Sequence, residues 1–314
     1  MLYDIPISEL QPGDEVQGFY IFSDPAQRAT AAGKPFLTGK LTDRTGSLDM
    51  VIWDYNGPPG PELAGRVVKI RGTARDYRGA LQLTVTRLRP AEPEDGYDLS
   101  ALVPAAPIDP AAELAWIRAL VDGFSDPDYQ ALAREMLARN EESFPLIPAA
   151  KSVHHGFLAG LLMHTAQMLR LADFLAGQYP MLDRDLLLTG TLLHDMAKAE
   201  EFSFSPVGLV TEYSAPGQLL GHLVMGAQAA AEAARDLGIP EEKSMLVQHM
   251  ILSHHGEPEF GAAVRPQIPE AELLSSIDLI DSRMEIYREE LEKLEPGQFS
   301  QRVFALDRKI YKHP

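Results

Sequence analysis

Arg184-Asp185-Leu186-Leu187-Leu188-Thr189-Gly190-Thr191-Leu192-Leu193-His194-Asp195-Met196-Ala197-Lys198 reads as one apolar helix that ends in an imidazole and a carboxylate side by side. Working outward, the same periodicity predicts helices over roughly 157–176, 218–236, 242–254 and 270–294, the last rich in Glu/Arg pairs at three- and four-residue spacing. Upstream, Asp109-Pro110 and Asp126-Pro127 each pair an N-cap aspartate with a first-turn proline, and Leu114, Ile117, Leu120 and Val121 follow at helical spacing. Residues 111–314 are therefore expected to form an all-α bundle.

Eight of the nine histidines lie between residues 154 and 255: His154, His155, His164, His194, His222, His249, His254 and His255. A single histidine on an apolar helix face is ordinarily a core residue bonded to a carbonyl. Several brought together with Asp195 and Asp278 leave too many buried polar groups to satisfy without an organising cation. His194 and Asp195 sit roughly a quarter turn apart, so the carboxylate can bridge two ions while the imidazole binds one. The chain has no cysteine, so every ligand is imidazole or carboxylate. That donor set favours Mn, Fe, Co, Ni or Zn over Ca, with Mg less suited because it keeps several waters. Two such cations clamp the attacking and leaving oxygens of a phosphoryl centre, which makes phosphodiester hydrolysis the expected chemistry.

Residues 1–90 alternate in the manner of strands: five runs begin near Val16, Phe36, Leu48, Val67 and Leu81, with turn signals at Asp43-Arg44-Thr45-Gly46, Asn56-Gly57-Pro58-Pro59-Gly60 and Tyr77-Arg78-Gly79. A small five-stranded barrel of the OB type is the economical arrangement. Such barrels hold single strands with cations for the backbone and aromatics for the bases, which nominates Lys34, Phe36, Lys40, Arg44, Trp53, Tyr55, Tyr77 and Arg78. Phe36, Trp53 and Tyr55 have an equally good alternative place in the core or over the Gly/Pro loop. Pro90, Pro93, Pro104, Pro107 and Pro110 mark 91–110 as a linker.

The chain of 314 residues carries 28 Lys/Arg against 45 Asp/Glu, a formal charge of −17 that excludes a blanket polycation. Residues 1–90 are nearly balanced, with 11 Lys/Arg and 10 Asp/Glu, so a nucleic-acid surface is expected there. No apolar run reaches the length of a membrane span, and neither that nor the acidic start Met1–Glu15 suggests a targeting segment, so a cytoplasmic protein without membrane contact is expected. Its amphipathic helices serve a homo-oligomer interface or a monomeric core equally well.

The ordered series His164, His194-Asp195, His222, His254-His255, Asp278 resembles the HD superfamily of metal-dependent phosphohydrolases, in its two-metal variant. More narrowly, Pro148-Ala149-Ala150-Lys151, His154-His155, Gly160 to Thr165, Leu193-His194-Asp195-x-x-Lys198, Gly217-x-Leu219-x-Gly221-His222 and Leu252-Ser253-His254-His255-Gly256 resemble the YhaM-type 3′-to-5′ exoribonucleases, which also carry an amino-terminal OB domain. The resemblance implies His164, His194, Asp195 and Asp278 as ligands of one metal and Asp195, His222, His254 and His255 as ligands of the other. Manganese is the expected ion, with Co, Fe, Ni, Zn or Mg as alternatives. It also implies that Lys198, together with His194 and Asp195, acts on the scissile phosphate. Ala197 departs from the glycine usual before that lysine. Asp281 competes with Asp278 as the last ligand or steadies a ligand from behind, as His155 does unless it caps a helix; His249 packs or orients. The implied activity is release of nucleoside monophosphates from single-stranded RNA, with DNA a lesser substrate. The alternatives are a phosphodiesterase of small or cyclic nucleotides and an inactive single-strand binding module.

Overall fold

The computed structural model describes residues 2–30, 32–77, 79–103, 105–148, 157–204, 208 and 210–314. The chain divides into two compact units, one built on Met1–Ala105 and one beginning at Ala106.

The first unit is a closed barrel. Its strands are β1 (Leu2–Tyr3), β2 (Glu15–Ala29), β3 (Pro35–Asp43), β4 (Gly46–Trp53), β5 (Arg66–Tyr77) and β6 (Ala80–Pro90), with a one-turn helix α1 (Gly60–Leu63) between β4 and β5. The order is β1-β2-β3-β4-β6-β5, and β5 returns to β2. Closure depends on the length of β2, whose first half pairs with β5 over Glu15–Phe22 and whose second half pairs with β3 over Ile21–Ala29. β1 adds two residues parallel to β2. The remaining five strands, with β4 and β6 parallel, have the OB arrangement that the alternation predicts. Val16, Tyr20, Phe22, Leu37, Leu41, Met50, Val68, Ile70, Leu83 and Val85 fill the interior at 2% exposure or less. Each such side chain is worth roughly 1.5–3 kcal/mol of apolar burial.

Residues 91–110 are more ordered than their prolines suggest. A 3₁₀ turn spans Pro93–Asp95, a short helix α2 spans Leu99–Leu102, and Leu102, Val103 and Ala106 are buried. Apolar residues between the prolines, passed over in a composition reading, anchor the segment.

The second unit contains α3 (Pro110–Asp122), α4 (Pro127–Arg139), α5 (Gly160–Ala176), α6 (Arg184–Leu193), α7 (Lys198–Glu201), α8 (Ala215–Leu219), α9 (Gly221–Asp236), α10 (Glu241–Ser253) and α11 (Pro269–Glu292). Asp109 and Asp126 cap α3 and α4, accepting from Ala111 and Ala112 N–H and from Asp128 and Tyr129 N–H. From Asp185 onward α6 is buried on every side, and α4, α5, α10 and α11 pack around it. Thr189 and Thr191 enter this core because their hydroxyls donate to the carbonyls of Asp185 and Leu187 at 2.7 and 2.8 Å. A two-stranded ribbon, β7 (Phe202–Phe204) and β8 (Val210–Tyr213), follows α7. No helix among the described residues is long and apolar enough to cross a membrane.

Candidate functional site

Five imidazoles and two carboxylates meet at the carboxyl end of α6. His164 comes from α5, His194 and Asp195 from the turn that closes α6, His222 from the first turn of α9, His254 and His255 from the end of α10, and Asp278 from α11. Four of the rings are anchored in the same way. His194 Nδ1 donates to Thr191 O at 2.7 Å and His254 Nδ1 to Ile251 O at 2.8 Å, while His222 Nδ1 donates to Glu201 Oε1 at 3.0 Å and His164 Nδ1 to Asp281 Oδ2 at 2.7 Å. A carbonyl or carboxylate oxygen only accepts, so each Nδ1 carries a proton and, in the neutral ring, each Nε2 keeps a lone pair. The Nε2 atoms of His164 and His194 lie 3.2 Å apart, and in the neutral rings both present lone pairs. Two lone pairs held that close call for a positive charge.

Asp195 offers one oxygen to each side of the cluster. Oδ2 lies 3.4 Å from His194 Nε2 and 3.8 Å from His164 Nε2; Oδ1 lies 3.3 Å from His222 Nε2 and 3.6 Å from His254 Nε2. Asp278 Oδ1 stands 3.4 Å from His164 Nε2, opposite the nitrogen that Asp281 holds. Asp195 Oδ1, His222 Nε2, His254 Nε2 and His255 Nδ1 are buried without a hydrogen-bond partner. Leaving even one buried polar atom unpaired costs about 1–3 kcal/mol, so four together fit a bound cation. Ligand atoms of His222, His254 and His255 lie within 4.8 Å of one another, as do those of His164, His194 and Asp195. Nitrogen and carboxylate donors without thiolate suit a divalent transition metal.

The local charges agree with this. Burial opposes a charge on Asp195, but Lys198, whose Nζ is 2.5 Å from Oδ2, and His194 outweigh it and hold the carboxyl well below the usual range. Burial likewise disfavours the Lys198 ammonium, and Asp195 more than compensates. Burial, with His254 and His222 beside it, pushes His255 down to about 4, which leaves it a neutral donor. The cluster opens into a cavity of about 450 Å³ that Lys198, Phe260, Ser275, Asp278 and Ser282 help to line.

Glycine makes two of these approaches feasible. A Cβ on Gly217 would sit 2.1 Å from Glu201 O, and Gly221 takes φ +72°, so the chain turns sharply and starts α9 with His222 facing Glu201. Glu201 is the residue that sequence reasoning missed. Its carboxylate also accepts from His222 N–H at 3.1 Å, and it is 6% exposed. Nothing in the sequence marks it, because its burial becomes evident only with His222 placed against it. His249 holds a loop, its Nε2 accepting from Gln267 N–H at 2.9 Å. His154, His155 and Lys151 lie outside the described residues.

The barrel candidates are scattered. Phe36 and Trp53 pair across β3 and β4 with ring centroids 5.1 Å apart, and Trp53 is 54% exposed. Tyr77 is exposed at the end of β5, and Arg44 is exposed in the β3–β4 turn. Lys34 pairs with Asp54 at 3.4 Å, and Lys40 stands opposite Asp49 in the ladder, so both cations have acidic neighbours. Tyr55 is an interior residue at 4% exposure, its hydroxyl donating to Pro58 O at 2.8 Å; the Gly/Pro loop needs it there. Arg78 lies outside the described residues.

Residues 161–283 match the family model of the HD domain, a module that brings divalent-metal dependence with it. The 3′-5′ exoribonuclease YhaM of Shouchella clausii is 36% identical over 303 residues, which cover 96% of this chain and 94% of that protein. The 3′-5′ exoribonuclease YhaM of Bacillus subtilis is 35% identical over 303 residues, covering 96% of each. Among solved structures, the second OB-fold domain of replication protein A from Methanococcus maripaludis matches at 18% identity and a TM-score of 0.23, over 29% of this chain and 96% of that domain. With a barrel of OB topology, an HD domain and relatives of one kind along nearly its whole length, the chain belongs to the family of the YhaM 3′-5′ exoribonucleases.

Proposed function

We propose that the protein removes nucleotides from the 3′ end of single-stranded RNA by hydrolysis, releasing nucleoside monophosphates, at a centre that holds two divalent cations. The observation that carries this reading is the set of unpartnered, buried ligand atoms around Asp195. His164, His194, Asp195 and Asp278 would hold one cation, and Asp195, His222, His254 and His255 the other, with manganese the expected ion among the divalent transition metals that such donors suit. The cations supply Lewis acidity and lower the pKa of water at neutral pH. The chain's own part is to fix the donors. Asp281, Glu201 and the carbonyls of Thr191 and Ile251 lock the imidazole tautomers, so that no donor has to reorganise when a phosphate arrives. Lys198 brings a permanent positive charge to the cavity wall, where it offsets charge accumulating on the phosphoryl oxygens. The names of the relatives, and the coverage of 94% and 96% of their length, support the polarity and the RNA substrate. DNA single strands would be lesser substrates, and the cytoplasm the place of action.

The test is digestion of a 5′-labelled single-stranded RNA with Mn²⁺ or with chelator, beside the double variant His194→Ala/Asp195→Ala. The expected result is a metal-dependent ladder that shortens from the 3′ end and is absent in the variant. An RNA left intact under every divalent metal tried, while cyclic dinucleotides are cleaved, would replace this reading with the small-nucleotide one.

A further inference from the structure

The outer face of the β5–β6 ribbon carries four cations that play no part in the metal centre. Lys69 and Arg71 on β5 stand opposite Arg89 and Arg87 on β6. Asp95 engages two of them, accepting from Arg89 at 2.5 and 2.7 Å and from Lys69 at 3.2 Å. Arg71 and Arg87 are both exposed, and neither has a carboxylate partner among the described residues. Like charges directly opposite in a ladder are destabilising. The register nevertheless imposes the pairing. Gly72 pairs with Val85, and the next pair is Arg71 with Arg87, so Thr86 is an extra residue. A regular ladder would place Thr86 there. The bulge gives up regular pairing to bring Arg87 across from Arg71, and Thr86 Oγ1 secures it by donating to Arg71 O at 3.1 Å.

These arginines line a groove of about 600 Å³ whose wall includes Trp53 and Gln17. Strand order β3-β4-β6-β5 puts Phe36, Trp53, Arg87 and Arg71 on four successive strands. Exposed Trp53, with half-buried Phe36 against it, thus runs into a cation pair on the same barrel that has no carboxylate partner among the described residues. That combination holds single strands with little sequence preference, stacking bases on the rings and tracking phosphates with the cations. In a chain of net charge −17, a local pair of free arginines is where a polyanion finds attraction rather than repulsion.

We propose that this groove is a single-stranded nucleic-acid track, with bases on Trp53 and Phe36 and the phosphodiester backbone on Arg87 and Arg71. The identity of the strand as RNA rests on the exonuclease reading; the track itself rests on the barrel. The test is fluorescence anisotropy of a labelled single-stranded RNA with the full chain, in chelator so that nothing is cut, across a salt series. Arg71→Gln/Arg87→Gln is expected to weaken binding about tenfold and to flatten the log-log salt slope by about 1.4, the value for two phosphate contacts on a single strand. Arg71→Lys/Arg87→Lys should restore most of both. Arg118→Gln/Arg134→Gln, which removes two exposed cations from the helical unit, should change neither. If the double glutamine variant does not fold, each single glutamine variant is expected to flatten the slope by about 0.7. An unchanged affinity and slope, or an equal loss in the helical-unit control, would overturn the proposal. Arginine-dependent binding in a chain that shortens no RNA would keep the track and remove the exonuclease reading; shortening without arginine dependence would do the reverse.

Discussion

Two buried aspartates, one in each unit, show what separates a carboxylate whose hydrogen bonds are closed within the fold from one that is left open. In the barrel, Asp43 accepts from Ile7 N–H and Thr45 N–H at 2.7 Å, from the Thr45 hydroxyl at 2.6 Å and from Gly46 N–H at 3.1 Å. Both its oxygens are taken, and the turn between β3 and β4 is the result. In the helical unit, Asp195 is as deeply buried, yet Oδ1 has no donor at all. The nitrogens around it have their protons on the far side. A closed network of hydrogen bonds stabilises the fold it sits in, whereas an open one at the same depth keeps its stabilisation for a ligand.

Removing each carboxylate should therefore break different things. Asp195→Ala is expected to lower RNA hydrolysis on the order of 10³-fold, since it takes ligand oxygens from the proposed cation sites while the barrel stays intact; single-turnover kinetics with saturating metal would measure it. Glu201→Gln should do less. The amide still accepts a hydrogen bond from His222 but no longer raises its basicity, and a loss of about 10–100-fold in metal affinity, read by titration with Mn²⁺, is the expected outcome.

Asp43→Ala should leave metal affinity unchanged and destabilise the barrel by about 2–4 kcal/mol, because Ile7, Thr45 and Gly46 lose their acceptor. Urea denaturation followed at the barrel would detect it. The smallest effect is at high pH. Burial, with Asp183 beside it, pushes the Tyr129 phenol in the helical unit up to about 12 from an ordinary 10.0. In the barrel, burial and then Asp43 raise Tyr20 further, its hydroxyl donating to Ile5 O at 2.9 Å. A neutral phenol is favoured in both folds, so each contribution is complete below pH 10 and is lost as the pH rises through the folded value. Absorbance titration of single Tyr→Phe variants should find Tyr129 ionising before Tyr20.

Much of this architecture was legible in the sequence because it is written in local periodicity. The alternation near Val16, Phe36, Leu48, Val67 and Leu81 marks strands, and the apolar run from Leu186 to Leu193 marks the central helix. The histidine series was legible because eight of nine histidines fall within one third of the chain. What escaped depends on partners far away in the chain. Glu201 looks like any solvated helix-end glutamate until His222 is placed against it. The bulge at Thr86 is a property of register between two strands, so the Arg71–Arg87 pair could not be read from either strand alone. Tyr55 could be read as a base-stacking ring or as the cover of the Gly/Pro loop, and its hydroxyl bond to the Pro58 carbonyl decides for the loop. The ribbon of β7 and β8 is too short to set a period.

The most direct test of the central claim, that the open carboxylate of Asp195 joins two cation sites, is equilibrium dialysis of the purified chain against Mn²⁺ with an electron paramagnetic resonance spectrum of the loaded protein. Two manganese ions per chain with a spin-coupled spectrum, falling to one or none and to an uncoupled spectrum in Asp195→Ala, is the predicted result. A single uncoupled ion in the wild-type chain, or a stoichiometry that Asp195→Ala leaves unchanged, would contradict it.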